Sequence, residues 1–296
     1  MSSTAPSGTA PAGPAADATA APGYRARRTL PLRVEAVRQL RRRRTMVVAG
    51  VLALLPFIVL VAFKIGGTPG RPDRTTFIDL ATASGPNFAA TTLFMGTGFL
   101  LVIPVALFCG DTVASEASWS SLRYLLAAPV PRARLLARKF TVGVAFSAAA
   151  VLLLPLVGLA VGTAAYGWGD LKLPTGASLP AAEALPRLGI AVGFVILGEL
   201  VIGALAFWLS TVTDAPLGAV GGAVFLAIIT SVLDSITALG GLREWLPAHW
   251  QYAWADALQP QLEWGGMIQG VSLSLSYSAV LLALAFRGFA RKDIVS

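Results

Sequence analysis

Residues 110–139 read GDTVASEASWSSLRYLLAAPVPRARLLARK and lie between two long apolar runs. The stretch carries Asp111, Glu116, Arg123, Arg132, Arg134, Arg138 and Lys139, too much charge for a bilayer interior. It is also patterned. Trp119, Leu122, Leu125 and Leu126 recur at helical spacing, which predicts a short amphipathic helix over 115–127. Asp111 and Glu116 stand near its start, where the helix dipole favours negative charge. Pro129 and Pro131 end it, and Arg132, Arg134, Arg138 and Lys139 lead into the next apolar run. A helix held parallel to the membrane between two spans can pass a push from outside into them.

The rest of the chain fits a membrane setting. Of 296 residues, 55% are hydrophobic and 13% charged, against about 25% charged in a soluble domain. The mean hydropathy is +0.71. So little charge cannot cover a water-facing surface. The net charge of +8 comes from arginines flanking apolar runs, which suits a lipid surface rather than nucleic acid. One cysteine, Cys109, leaves no disulfide framework and no Cys-based zinc site. Residues 1–28 form an Ala-, Pro-, Gly-, Ser- and Thr-rich tail, too poor in large apolar groups to offset the entropy of ordering. They do not read as a secretory signal, because the first apolar run starts only at Met46 and is too long for one.

Six apolar segments predict an all-α polytopic membrane protein: 46–65, 88–109, 140–164, 188–210, 217–239 and 267–286. Each has roughly 20 residues, enough to cross about 30 Å of hydrocarbon. Pro56, Pro104 and Pro155 fall inside three of them, as membrane helices tolerate. Basic residues concentrate before the first span, between the second and third, and after the sixth, where Arg287, Arg291 and Lys292 follow it. The positive-inside rule therefore places both termini of this multi-pass protein in the cytoplasm, and the Arg-over-Lys and Ala-rich usage suggests a bacterial plasma membrane. Residues 29–45 carry Leu30, Val34 and Val37 at helical spacing with Arg33, Arg38 and Arg41 mostly elsewhere, which predicts an interfacial helix on membrane lipid. On the opposite side, 240–266 holds Trp245, Trp250, Trp254, Trp264 and Tyr252. These aromatics predict short helices dipping into the outer leaflet, with Leu242, Trp245, Leu246, His249 and Trp250 on one face.

The order Glu116, then Leu122, Leu125 and Leu126, then Pro129, Arg132, Leu135, Leu136 and Lys139 resembles the second cytoplasmic loop of ABC-2 type transporter permeases. Topology adds to the likeness: six spans, cytoplasmic termini, an interfacial helix before the first span and a large outer loop before the sixth. The resemblance covers about residues 29–292. Ser120 and Ser121 depart from it, since family members often have Gly-Thr or Gly-Ser there. It implies the transmembrane domain (46–292) of an ATP-binding cassette exporter, moving its substrate by alternating access. It implies a coupling site of Glu116, Trp119, Leu122, Leu125, Leu126, Pro129 and Arg132 docking on a separate ATPase subunit, and a second permease subunit, identical or not. No G-x-x-x-x-G-K-[ST] occurs, so ATP and Mg would be bound by the partner, with no catalytic residue, cofactor or metal in this chain.

Other residues admit two readings each. Glu199 falls in the middle of the fourth span, where a carboxylate is costly. It serves either a translocation path, as proton relay or cation contact, or a structural hydrogen bond. The relay makes an ion-coupled secondary transporter the alternative function, though no inverted repeat accompanies it. Asp234 reads as a solvated end charge. His249 is the single histidine, without a G-x-S-x-G or H-E-x-x-H partner, and reads as interfacial packing rather than an enzyme's base. Gly158/Gly162, Gly189/Gly193 and Gly218/Gly222 fit close helix packing. Ser272, Ser274, Ser276 and Ser278 read as back-bonded to their own helix.

Overall fold

The structure, a computed structural model, describes residues 31–66, 76–118 and 131–291. The tail over 1–28 lies outside them. Helix α1 (Leu32–Leu40) opens at Pro31, where a missing N–H costs nothing, and stops at Arg41. Helix α2 (Arg43–Gly66) is apolar from Met46 onward and has Pro56 inside it. The sequence predicts one helical stretch over 29–45. The structure instead breaks it and gives Arg43 to the first span.

A short helix, α3 (Phe77–Ala81), starts from a capping box: the Asp79 N–H donates to Thr76 Oγ1 and the Thr76 N–H donates to Asp79 Oδ2. Helix α4 (Gly85–Thr97) then leads through a tight corner into α5 (Val102–Ser118). The continuous second span expected over 88–109 is thus two helices bent by 54°. Pro104 sits in the first turn of α5, where its ring presents no clash and its absent N–H is not missed. The chain closes the corner with a wide bond from the Leu101 N–H to the Gly96 carbonyl.

Helix α6 (Arg132–Tyr166) is longer than the expected third span at its basic end. A two-residue hairpin, β1 (Leu171–Lys172) with β2 (Ser178–Leu179), pairs Leu171 with Leu179 and Lys172 with Ser178. Helices α7 (Ala181–Gly198) and α8 (Leu200–Val212) form a single span interrupted at Glu199. Helix α9 (Pro216–Ser235) is followed by three 3-10 segments, Thr237–Trp245, Pro247–Trp250 and Ala253–Leu258, and then α10 (Gly265–Arg291).

Among the described residues five helices are long and apolar enough to cross a membrane, and the bent pair α4–α5 makes a sixth. The chain is an all-α polytopic protein. Its exposed side chains agree: Val47, Val51, Leu54, Phe57, Ile58 and Val61 of α2 all face outward. Water would not support such a surface, whereas lipid does.

Successive spans run in opposite directions, so α1, the end of α5, the start of α6 and the end of α10 share one end of the bundle. An Arg132 guanidinium N–H there donates to the Ala290 carbonyl at 3.3 Å. The core is α5, held against α6, α8 and α9. Leu101, Val105 and Phe108 pack toward the loop end, and Cys109, Val113, Leu136 and Phe207 toward the terminal end. Helices α4 and α6 approach closely where a Cβ on Gly158 would clash with Thr92 Oγ1 and one on Gly162 would stand 2.6 Å from Phe88 Cβ. Only glycine fits there, as the first of the three glycine pairs predicts. Gly189 and Gly193 meet nothing within 4 Å among the described residues, so that pair packs against none of the described helices.

Candidate functional site

At the terminal end of the bundle, seven charged side chains among the described residues pair in two groups along α5, Glu35, Arg38, Glu116 and Lys139 in one and Arg42, Arg44 and Asp111 in the other. Lys139 is 1% exposed. Its ammonium donates to Glu116 Oε1 at 2.6 Å, to Glu35 Oε1 at 3.1 Å and to the Thr112 carbonyl at 3.1 Å. Three donors meet three acceptors, which satisfies a fully buried ammonium. Arg38 also donates to Glu116, at 3.1 Å. Asp111 is gripped by Arg42 and Arg44 together. The cluster therefore ties α1, the start of α2, the end of α5 and the start of α6 into one piece.

The sequence places Asp111 and Glu116 at the start of a loop helix over 115–127. In the structure they lie in α5, which continues unbroken through Ser118, because their charge is neutralised by basic side chains from the N-terminal segment and α6. Glu116 is buried rather than presented to solvent. Trp119, Leu122, Leu125, Leu126 and Pro129, with the rest of that predicted helix, lie outside the described residues. Pro131 caps the start of α6. Helix α1 buries Glu35 and Gln39 against this cluster and leaves Leu32, Val34, Val37 and Leu40 exposed. Sequence periodicity finds the apolar face of α1 but misses that its acid is the buried side. The usable signal is Glu35 itself, the lone acid among basic residues.

At mid-span, Glu199 separates two cavities. The larger, about 590 Å³ counting the space open to solvent, lies between α5, α7, α8, α9 and α10, with Pro247, Ala248, Trp250 and Gln251 lining it on the loop side. The smaller, about 250 Å³, is lined by Val105, Cys109, Ser147 and Gly203. Glu199 lines both, and neither lining contains Lys or Arg. Its Oε2 is shielded from solvent and has no hydrogen-bond partner among the described residues. The structural hydrogen bond that the sequence allows for this carboxylate is absent from that oxygen. Beside it, Ser274 Oγ of α10 lies 2.8 Å from the Leu197 carbonyl and 3.0 Å from the Gly198 carbonyl. These are carbonyls at the helix interruption. Ser274 thus bonds across helices rather than to its own, unlike Ser276, which bonds back to the Ser272 carbonyl at 2.7 Å.

The loop end carries a second polar group. Asp234 Oδ1 stands 2.7 Å from His249 Nδ1 and 3.3 Å from Arg243 Nε. The solvated end charge read from the sequence is instead a partnered one, because the loop folds back over α9. The His249 ring also packs edge-on against Trp250. The single helical face expected from Leu242 to Trp250 does not form. The extended Leu246 splits it between two 3-10 segments, Thr237–Trp245 and Pro247–Trp250. Trp254 is buried while Trp245 and Trp264 are exposed. Burial, and then the negative charge of Glu263, raise the Asp256 carboxyl above its ordinary value.

A family model described as a protein of unknown function (DUF2705) matches residues 57–295. The chain belongs to the DUF2705 family. The DUF2705 match takes in Asp111, Glu116, Lys139, Glu199, Asp234 and His249, and starts after Glu35, Arg38, Arg42 and Arg44. No curated protein matches the chain.

Proposed function

We propose that the chain is the permease subunit of an ATP-binding cassette exporter, driven by a separate ATPase subunit. One observation carries the reading: α5 joins the charged cluster to both cavities. Its end holds Asp111 and Glu116, and its beginning supplies Val102, Val105 and Cys109 to the cavity walls. A force on the 119–130 connection therefore reaches the cavities through a helix fixed at its base by a buried ion pair. In this reading the six spans put both termini in the cytoplasm of a bacterial plasma membrane. Helix α1 rests Leu32, Val34, Val37 and Leu40 on membrane lipid, and Trp119, Leu122, Leu125, Leu126 and Pro129 meet the ATPase. A second permease subunit covers the outward faces of the spans that need protein contact. ATP and Mg belong to the partner.

Glu116 has a different role from the one its place in the coupling motif suggests. It holds the root of the loop, with Lys139, and Arg132 holds the other root on the Ala290 carbonyl. The docking test therefore avoids both. The chain is purified from its native cells in wild-type form and as Trp119→Asp with Leu122→Asp. Recovery of an ATPase subunit with wild type, and its loss with the double variant at unchanged thermal stability, is the expected result. Wild type that recovers no ATPase, or a double variant that recovers it equally, sinks the proposal.

The position of Glu199 between two cavities favours one second reading, an ion-coupled secondary transporter. Uptake or efflux in vesicles of the chain alone, driven by a proton gradient and lost in Glu199→Gln, would single it out.

A further inference from the structure

The larger cavity has a chemistry of its own. Glu199 lines it, with Oε2 shielded from solvent and unpartnered among the described residues. Ser274 Oγ, in the same lining, is committed to the Leu197 and Gly198 carbonyls. Two aromatic rings, Phe194 and Trp250, form part of the wall. They flank Gly270, where an added Cβ would come within 2.7 Å of Trp250 Cβ and 3.1 Å of Phe194 Cζ. Thr230 and Ser231 hydroxyls line the wall too, each donating to the Ala227 carbonyl of its own helix, at 2.8 and 3.0 Å. Apart from Glu199 the lining is uncharged.

A lone carboxylate in a chamber of aliphatic, aromatic and carbonyl-bonded hydroxyl groups favours a positive charge over a neutral or negative one. Aromatic faces add to that preference, because their electron-rich centres attract a poorly hydrated cation. A metal ion would need several oxygen ligands converging at one point. Among the described residues no group of three His, Cys, Asp or Glu side chains comes together.

We propose that this cavity binds a hydrophobic organic monocation, of the quaternary-ammonium or protonated-amine class, with its charge against Glu199 and its apolar part against Phe194 and Trp250. As a substrate site it rests on the permease reading and gives that permease a substrate class. As a binding site it stands without the ATPase. Saturable binding by a chain that recruits no ATPase keeps the site and removes the exporter. Failure to bind by a chain that does recruit one removes the site and keeps the exporter.

The test uses the full chain in phosphatidylcholine nanodiscs and radiolabelled benzyltrimethylammonium, read by equilibrium dialysis. Wild type binds saturably. Glu199→Gln lowers affinity at least tenfold, and Gly270→Ala, which pushes a methyl against Trp250 Cβ and the edge of the Phe194 ring, lowers it severalfold. Glu244→Gln, an exposed acid on the loop, leaves it unchanged. A second measurement needs no variant: dicyclohexylcarbodiimide modifies buried carboxyls, and benzyltrimethylammonium slows modification of Glu199 in wild type, read by mass spectrometry. Absent saturable binding, equal affinity in Glu199→Gln, or an unprotected Glu199 overturns the proposal.

Discussion

Lys139 Nζ lies 2.6 Å from Glu116 Oε1, and Lys139 is among the most deeply buried side chains of the protein. The pair joins α5 to α6 at the two ends of the connection that the sequence singles out. Removing one member of a buried pair leaves the other charge uncompensated, at about 3–5 kcal/mol. Lys139→Met should therefore destabilise the chain by that amount in an SDS-unfolding titration. Adding Glu35→Gln and Glu116→Gln to it should recover most of the loss. Raising salt should change little, because the pair is shielded from mobile ions.

The α4–α6 contact gives a second prediction. Gly158→Ala and Gly162→Ala place a methyl into space held by Thr92 and Phe88. Overpacking of this kind costs about 1–3 kcal/mol. Thr92→Ala should largely rescue Gly158→Ala and leave Gly162→Ala uncorrected. Gly189→Ala and Gly193→Ala, which meet open space, should stay within about 0.5 kcal/mol of wild type.

Two serines of α10 should differ. Ser274→Ala removes the hydroxyl at the Leu197 and Gly198 carbonyls and should cost about 1 kcal/mol. Ser276→Ala removes a bond within one helix and should be close to neutral. Equal losses in the same unfolding titration would contradict the role assigned to Ser274.

The 3-10 segment supplies a pH dependence. In the folded chain Asp256 holds its proton above the ordinary value of 3.8, chiefly through burial. A raised acid contributes stability below its unfolded value and loses it as pH rises through the folded one. Wild type at pH 7 therefore carries the whole cost of ionising Asp256, and Asp256→Asn does not. The variant should melt higher at pH 7, and the difference should close as pH falls toward 3.8. Glu263→Gln should reproduce a smaller part of the gain, since its charge is the lesser cause.

The fold was legible where composition alone decides. Apolar length marks the spans, and Pro104 lies within reach of the corner between α4 and α5. Helix ends were harder to read. Local periodicity starts a new helix at Ser115, whereas α5 runs on through Ser118 because Lys139, Arg38, Arg42 and Arg44 neutralise its acids. Those partners are distant in sequence, so no window of neighbouring residues contains the information. Asp234 and His249 show the same limit: each looks isolated until the loop folds back and sets them 2.7 Å apart. Glu199 was visible as an oddity from its position alone. Its place between two cavities depends on five helices meeting, which no single segment encodes.

Helix α1 turns Glu35 inward toward an ammonium that lies 104 residues further along the chain. A ribosome finishes α1 and the first two spans before Lys139 exists. Until then Glu35 has no buried ammonium to meet and must stay in water, while Leu32, Val34, Val37 and Leu40 already favour an apolar surface. The amino-terminal segment is thus made first and seated late. The Glu35–Lys139 contact can form only after the start of the third span has been made.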